Sequence, residues 1–410
     1  MDQLLRILIV DDSLSMCQVL KAQLEQFGAH TVDYCHDGVA ALEQINDSYS
    51  GYDALFVDLH MEGMDGLELL SQLNTRAYRG AVVIVSALDS RIIEYSLEII
   101  SNYNLRLLGS LAKPIDRSVI GFMMRRIRNS KSVVQTREEL PSRRKVEAAL
   151  HADNIQLYFQ PIIANEHNSI HSFECLSRLT IDGTLMQPSQ FLPVIDKFDL
   201  HDLFLSSLLK KVIPEYKKIN SELHSDANLA INLSPKLLFN DDLPITLASW
   251  VDNLGVERSK ICFEITEDYS LNDDIQQKNL NRLRIQGFKL ALDDYGTGYT
   301  NLRQIRQLPL NEIKLDRDLV MGMHQDKILR IVVESVQRLC EELQLNVIAE
   351  GVCDPKDLIA LNSMGINHFQ GYLFCRPKPA GEVIRWVKHW QKAIAQSKAA
   401  DQKIIEQRQK

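Results

Sequence analysis

Short apolar runs recur along this 410-residue chain, and most of them stop at an acidic, amide or basic residue. Over residues 1–128, RILIV, TVDYC, ALFV and VVIV have strand length, while segments 13–27 and 38–45 between them have helical periodicity. This alternation predicts a doubly wound α/β domain on a parallel sheet. Asp11, Asp12, Asp58, Ser86 and Lys113 all fall where apolar runs end. In such sheets ligands bind beyond the carboxyl ends of the strands.

From 145 to 395 the same punctuation continues with a different spacing. Glu174 follows an apolar run in SFECLSR, Asn232 in LAINLS, Glu264 and Glu267 in ICFEITE. Asp293 and Asp294 do so in LALDDYGTGY, Glu350 in VIAEGV, and Lys314 adds a cation in NEIKLD. From Asn232 onward these positions lie roughly 20–36 residues apart, about one strand, one helix and two loops each, which predicts a (β/α)8-type barrel. A carboxylate at a strand end is costly to bury without a cation or partner. Any one of these could be a helix cap. Together they predict an oxygen-rich pocket suited to Mg²⁺ or Mn²⁺.

Composition narrows the class. With 45% hydrophobic and 24% charged residues, each domain can bury a full core, and no apolar stretch reaches membrane-spanning length, so no membrane insertion is expected. The apolar LLRILIV is cut short by Asp11 and Asp12 and reads as a buried strand, not a leader. Seven cysteines without a C-x-x-C pair read as reduced thiols of a cytoplasmic protein. A net charge of −8 disfavours a nucleic-acid polymer as partner, so no DNA is expected. Residues 129–144 form a basic connector whose charges serve a solvated helix face or docking against acidic surface. Pro141 is expected to end it. Residues 396–410 form a polar tail, read as a frayed helix end after Trp386 and Trp390, which share one helix face.

Two resemblances follow from these motifs. ECL at Glu174–Leu176, with YFQP, NLS, EITE, DDYGTGYTNL, KLDR, AEGV and QGYLFCRP around it, resembles the EAL family of cyclic-di-GMP phosphodiesterases over residues 145–390. Residues 1–128 resemble the receiver domain of two-component response regulators. The EAL resemblance implies two Mg²⁺ or Mn²⁺ ions: Glu174, Asn232, Glu264 and Asp293 on one, and Asp293 bridging to a second also held by Asp294, with Glu350 nearby. It implies Glu350 as base or water-positioning group and Lys314 as a contact to the attacking water or transition-state charge. Arg178 would bind a substrate phosphate, and Gln160 and Gln370 would contact substrate or water. Glu267 would order the loop 295–300, and Asp316 would orient a neighbour.

The receiver resemblance implies that Asp58 accepts a phosphoryl group from a cognate histidine kinase. Asp12, Asp58 and the His60 carbonyl would hold one Mg²⁺ or Mn²⁺, assisted by Asp11, while Ser86 and Lys113 gather the phosphoryl oxygens. Lys113–Pro114 would be a cis peptide. Two positions depart from the family: Glu62 replaces a loop proline, and Leu111 replaces the switch aromatic. The combined expectation is a phosphorylation-regulated homo-oligomer that opens cyclic di-GMP to linear 5′-pGpG. Two alternatives are a catalytically silent cyclic-di-GMP sensor and a transcriptional regulator; the second would need a DNA-binding module that nothing beyond residue 395 is long enough to supply.

Overall fold

The computed structural model describes residues 5–47, 51–76, 78–87, 96, 100, 103, 105–113, 115, 119–121, 123–124, 126–128, 140–165, 169–266, 271, 273–296 and 302–408, with backbone alone at 47, 112, 302–304 and 397–408. The chain divides between Arg137 and Glu138 into two compact units.

The first unit is built on five parallel strands: β1 (Arg6–Val10), β2 (Thr31–Cys35), β3 (Ala54–Asp58), β4 (Ala81–Ser86) and β5 (Arg106–Ala112). Their order is β2-β1-β3-β4-β5, so the strand order reverses beside β1. Alternate residues of each strand feed two separate cores. Ile7, Ile9, Phe56 and Val83 pack with Leu20, Leu24 and Met124 on one face; Leu8, Val10, Leu55 and Ile84 pack with Leu69, Leu70 and Leu73 on the other. Ser13 and Asp65 cap the helices Leu14–Gln26 and Gly66–Thr75, accepting from Met16 N and Glu68 N. The fifth strand was not foreseen from its apolar pattern. RLLGSLA is broken by Gly109 and Ser110, and its pairing with β4 shifts register beside Gly109.

In the second unit eight strands close a ring. They are β6 (Ile155–Ala164), β7 (Ser169–Ile181), β9 (Asn228–Asn232), β10 (Ile261–Thr266), β11 (Lys289–Tyr295), β12 (Glu312–Leu315), β13 (Asn346–Ala349) and β14 (His368–Phe369); β8 (Thr184–Met186) is a hairpin extension of β7. From β7 round to β14 all neighbours are parallel, but β6 runs antiparallel to both β7 and β14. A (β/α)8-type barrel is therefore present with one reversed strand. The short connection between β6 and β7 explains it: a parallel crossover needs a dozen or more residues, whereas a hairpin does not. Small residues Ala230, Cys262 and Ala291 pack together in the barrel interior. Among the described residues no helix is long and apolar enough to cross a membrane.

Both ends of this unit are helical. The connector does not extend to residue 144, because the helix Arg143–His151 already buries Val146, Ala149 and Leu150. Two of the basic charges pair within the unit, Lys145 with Asp182 at 2.9 Å and Arg143 with Glu147. One helix runs Ala380–Arg408 and so carries most of the polar tail, with Trp386 and Trp390 stacked at 5.7 Å between ring centroids. All seven cysteines are free, and only Cys353 is exposed.

Candidate active site

Glu174, Glu264, Asp293 and Lys314 were expected just beyond strand ends; they lie inside β7, β10, β11 and β12. The strands continue past them, β7 by seven residues because it goes on to pair with β8. Asn232 is the last residue of β9, exposed and in register with Glu264 on β10, while Glu350 immediately follows β13. The carboxylates thus line the inner wall of the mouth and do not hang from its rim.

They converge on one cation. Lys314 Nζ lies 2.8 Å from Glu264 Oε1, 2.9 Å from Asp293 Oδ1, 2.7 Å from Glu350 Oε1 and 3.8 Å from Glu174 Oε2. Lys314 and Glu264 are each 1% exposed, so water screens this cluster little. Asp293 Oδ1 is close to the ammonium yet makes no hydrogen bond, and Glu264 Oε2 has no hydrogen-bond partner among the described residues. Burial, then the neighbouring carboxylates, push the Glu264 and Glu350 carboxyls well above their ordinary range, against the pull of Lys314. The same carboxylates hold Lys314 charged, well above the ordinary lysine value despite its burial. Were all four carboxylates ionised, one ammonium would leave a deficit of positive charge.

A backbone irregularity adds the fifth carboxylate. Successive strand residues point to opposite faces. The β11–β12 pairing shifts register between Leu292 and Tyr295, and Asp294 sits at φ 56° in the left-handed region. Oxygens of Asp293, Asp294 and Glu350 consequently come within 4.8 Å of one another, a set able to hold a metal ion. The donor set is all oxygen, the orphaned Glu264 oxygen points to a missing partner, and the charge deficit has the right sign. These residues fit hard divalent cations such as Mg²⁺ or Mn²⁺.

Gln160 and Gln370 are buried beside Glu174. Gln370 Nε2 donates to Glu174 Oε2 and to Gln160 Oε1, and Gln160 Nε2 donates to the Cys375 carbonyl at 3.0 Å. Their contacts orient Glu174. Gly371 allows this: a Cβ there would lie 2.1 Å from the Val352 carbonyl oxygen, so only glycine lets the two backbones approach. Asp316 caps the short helix Arg317–Val320 through Asp318 N. Glu267 lies outside the described residues, as do 297–300 of its loop. Arg178 stands on the same face of β7 as Glu174 and, among the described residues, has no carboxylate partner; its Nη1 donates to the Ser177 carbonyl.

The first unit has its own acidic cluster. Asp11 follows β1, Asp58 ends β3, Ser86 ends β4 and Lys113 follows β5, so the topology brings them together at the carboxyl edge of the sheet. Lys113 Nζ lies 2.6 Å from Asp11 Oδ2 and 2.5 Å from Asp58 Oδ2. These pairings hold Lys113 above the ordinary lysine value, although burial works the other way. Oxygens of Asp11, Asp12 and Asp58 lie within 4.8 Å of one another. Asp12 is exposed and Asp11 and Asp58 are buried, so one carboxylate opens outward. Leu111 is 2% exposed and packed into the core, and Glu62 is exposed. Pro114 lies outside the described residues.

Residues 143–377 match the EAL domain family, more than half of the chain, and the chain belongs to that family. Its first unit is a response regulator receiver domain, matched over residues 7–124. The same two-domain span is shared with the cyclic di-GMP phosphodiesterase RocR of Pseudomonas aeruginosa, 29% identical over 381 residues, 92% of this chain and 96% of that protein. An EAL domain protein from Listeria monocytogenes EGD-e is similar in structure at TM-score 0.53 and 28% identity, covering 60% of this chain and 97% of that one. BlrP1 of Klebsiella pneumoniae, solved as a manganese and cyclic-di-GMP complex, gives TM-score 0.50 and 31% identity over 55% of this chain and 56% of that one.

Proposed function

We propose that this chain is a receiver-controlled phosphodiesterase that opens cyclic di-GMP to linear 5′-pGpG. The observation that carries this reading is the convergence of Glu174, Glu264, Asp293 and Glu350 on Lys314 at the barrel mouth. The similarity to RocR across both domains supports the substrate and the domain pairing.

Glu174, Asn232, Glu264 and Asp293 would hold one divalent metal, and Asp293 and Asp294 would hold a second, with Glu350 nearby. When bound, such ions neutralise phosphoryl oxygens and lower the pKa of water. Glu350, 18% exposed at its side chain, takes the proton of the attacking water. Lys314 stabilises the charge gathering on the phosphoryl group. Oxygen of water adds to phosphorus, the bond from phosphorus to the 3′ oxygen breaks, that oxygen leaves as a hydroxyl with a proton from solvent, and the phosphate stays on the 5′ side. Arg178 orients the second phosphate through its planar fork. In the receiver, Asp58 accepts a phosphoryl group from a histidine kinase, with Lys113 beside it; Asp12, Asp58 and the His60 carbonyl would hold one metal, assisted by Asp11.

The test is turnover of cyclic di-GMP with Mg²⁺ or Mn²⁺ and product analysis. Linear pGpG is the expected product. Glu350→Ala is expected to lower kcat by about 10²–10⁴-fold, the usual weight of a general base, while cyclic di-GMP still binds. Binding without turnover by the wild-type protein would make it a sensor. Near-normal kcat in Glu350→Ala would remove Glu350 from the role of base.

A further inference from the structure

Below the carboxylates, toward the amino ends of the parallel strands, the barrel interior carries a second polar cluster that the proposed chemistry does not use. Glu312, the first residue of β12, is 4% exposed, and His171 Nε2 on β7 meets its Oε1 at 2.8 Å. In the ring of strands β7 and β12 stand opposite each other, with β9, β10 and β11 between them on one side and β6, β14 and β13 on the other. The contact therefore spans the barrel.

A buried carboxylate needs partners, and Glu312 finds them on several strands. Cys262 Sγ on β10 donates to its Oε2 at 3.9 Å. Lys289 Nζ on β11 donates to Asn228 Oδ1 on β9 at 3.2 Å, and Asn228 Nδ2 donates to the His171 carbonyl at 3.4 Å. Burial opposes the Glu312 charge, but the His171 hydrogen bond, with Lys289 nearby, holds its carboxyl below the ordinary range. The His368 ring on β14 lies 4.3 Å from the His171 ring between centroids, tilted by 57°. Burial pushes His368 down to about 4, so it packs there as a neutral ring.

Each of these residues stands just before a residue of the site: Glu312 two before Lys314, His368 two before Gln370, and His171 three before Glu174. Two strand positions are about 7 Å, so a shift below reaches the site with little slack. The odd interval on β7 depends on the bulge. Strict alternation would turn His171 away from the face of Glu174, but His171 is an extra residue between Ile170, paired with Ile163, and Ser172, paired with Ile162. The small side chains of Ala230, Cys262 and Ala291 leave the centre to longer ones. The same opposite strands approach again one level up, where Lys314 Nζ lies 3.8 Å from Glu174 Oε2. Sequence reading singled out neither His171 nor Glu312, because a pair that meets across a barrel leaves no local pattern.

We propose that the His171–Glu312 pair is a positioning tie: it fixes β7 against β12 below the site and so sets Glu174 and Lys314 in place for phosphodiester hydrolysis. This deepens the phosphodiesterase reading and rests on it. Neither residue belongs to the metal-binding set. The tie acts on the alignment that the transition state requires, so its weight falls on kcat more than on substrate affinity.

Steady-state kinetics on the full chain, each variant assayed below its unfolding transition, test this. Glu312→Ala is expected to lower kcat by up to about 10²-fold, the cost of a misplacement near 1 Å, with KM for cyclic di-GMP little changed. His171→Ala should do the same. Glu312→Gln keeps an oxygen that can accept from His171 and should retain most of the wild-type kcat. His171→Phe combined with Glu312→Met replaces the pair by apolar side chains, an exchange that often preserves stability. That double variant should fold and still lose kcat, by no more than either alanine variant, because one tie is removed in each case. A role in stability alone would lower the unfolding midpoint and leave the kcat of folded protein unchanged, which overturns the proposal. A change confined to KM also overturns it, as does a Glu312→Gln variant as slow as Glu312→Ala, which would place the effect in the charge. A wild-type protein that does not cleave cyclic di-GMP overturns the phosphodiesterase reading and this role with it. An active wild type whose kcat survives in the double variant overturns the tie alone.

Discussion

Lys314 shows how one residue can serve stability and chemistry together. Its ammonium, almost wholly buried, is the cation that lets Glu264, Asp293 and Glu350 face one another. Breaking a buried ion pair by removing one partner costs about 3–5 kcal/mol, because the other charge is left uncompensated. Lys314→Met is therefore expected to lower metal-free stability by an amount of that order, and added Mg²⁺ or Mn²⁺ should restore much of it. Urea unfolding in chelator and in excess metal measures both effects. An unchanged midpoint in chelator would mean that the ammonium does not hold the carboxylates. At this scale most of the site was legible, since a carboxylate after an apolar run is a conspicuous signal. The partners of Gln160 and Gln370 were not, because hydrogen bonds between residues some two hundred positions apart leave no local pattern.

Elements were read well where periodicity was strong and poorly where the backbone departs from it. The four apolar runs of the receiver became strands, whereas β5, interrupted by Gly109 and Ser110, did not announce itself. The reversal of β6 was invisible to composition; it depends on the length of the connection to β7. Two bulges do the fine aiming. One leaves His171 unpaired between β6 and β7 and sends its Nε2 to Glu312 Oε1 at 2.8 Å. The other sets Asp293 and Asp294 toward one site, with Asp294 at positive φ. Asn tolerates the left-handed region as well as Asp does, while a β-branched residue does not. Asp294→Asn should keep stability and weaken metal binding. Asp294→Val should do both kinds of harm, losing about 1–2 kcal/mol through the backbone as well. Thermal unfolding in chelator paired with Mn²⁺ titration separates the two; equal stability of Asn and Val variants would show that the bulge carries no conformational demand.

At the scale of the whole molecule, two acidic clusters share one chain, each toward the carboxyl ends of parallel strands. A phosphoryl group on Asp58 adds charge and acceptor oxygens beside Lys113, which already contacts both Asp11 and Asp58. Lys113 must then redistribute its contacts, and that is a local change able to bias a two-state receiver. The usual route from the phosphoryl group through a mobile aromatic has no ring to move here, because Leu111 is packed in the core. Phosphorylation is nonetheless expected to raise phosphodiesterase turnover several-fold, with Asp58→Ala losing the response and keeping basal activity, since Asp58 belongs to a different unit from the barrel carboxylates. Rates of wild type and Asp58→Ala with and without acetyl phosphate, with phosphorylation followed by intact mass, decide the matter. Leu111→Tyr adds a sharper arm. If the aromatic route is the missing part, the ring should enlarge the response without altering the unphosphorylated rate. Equal rates for phosphorylated and unphosphorylated wild type would instead assign the receiver to assembly or placement of the enzyme, with its acidic cluster chemically intact but uncoupled from turnover.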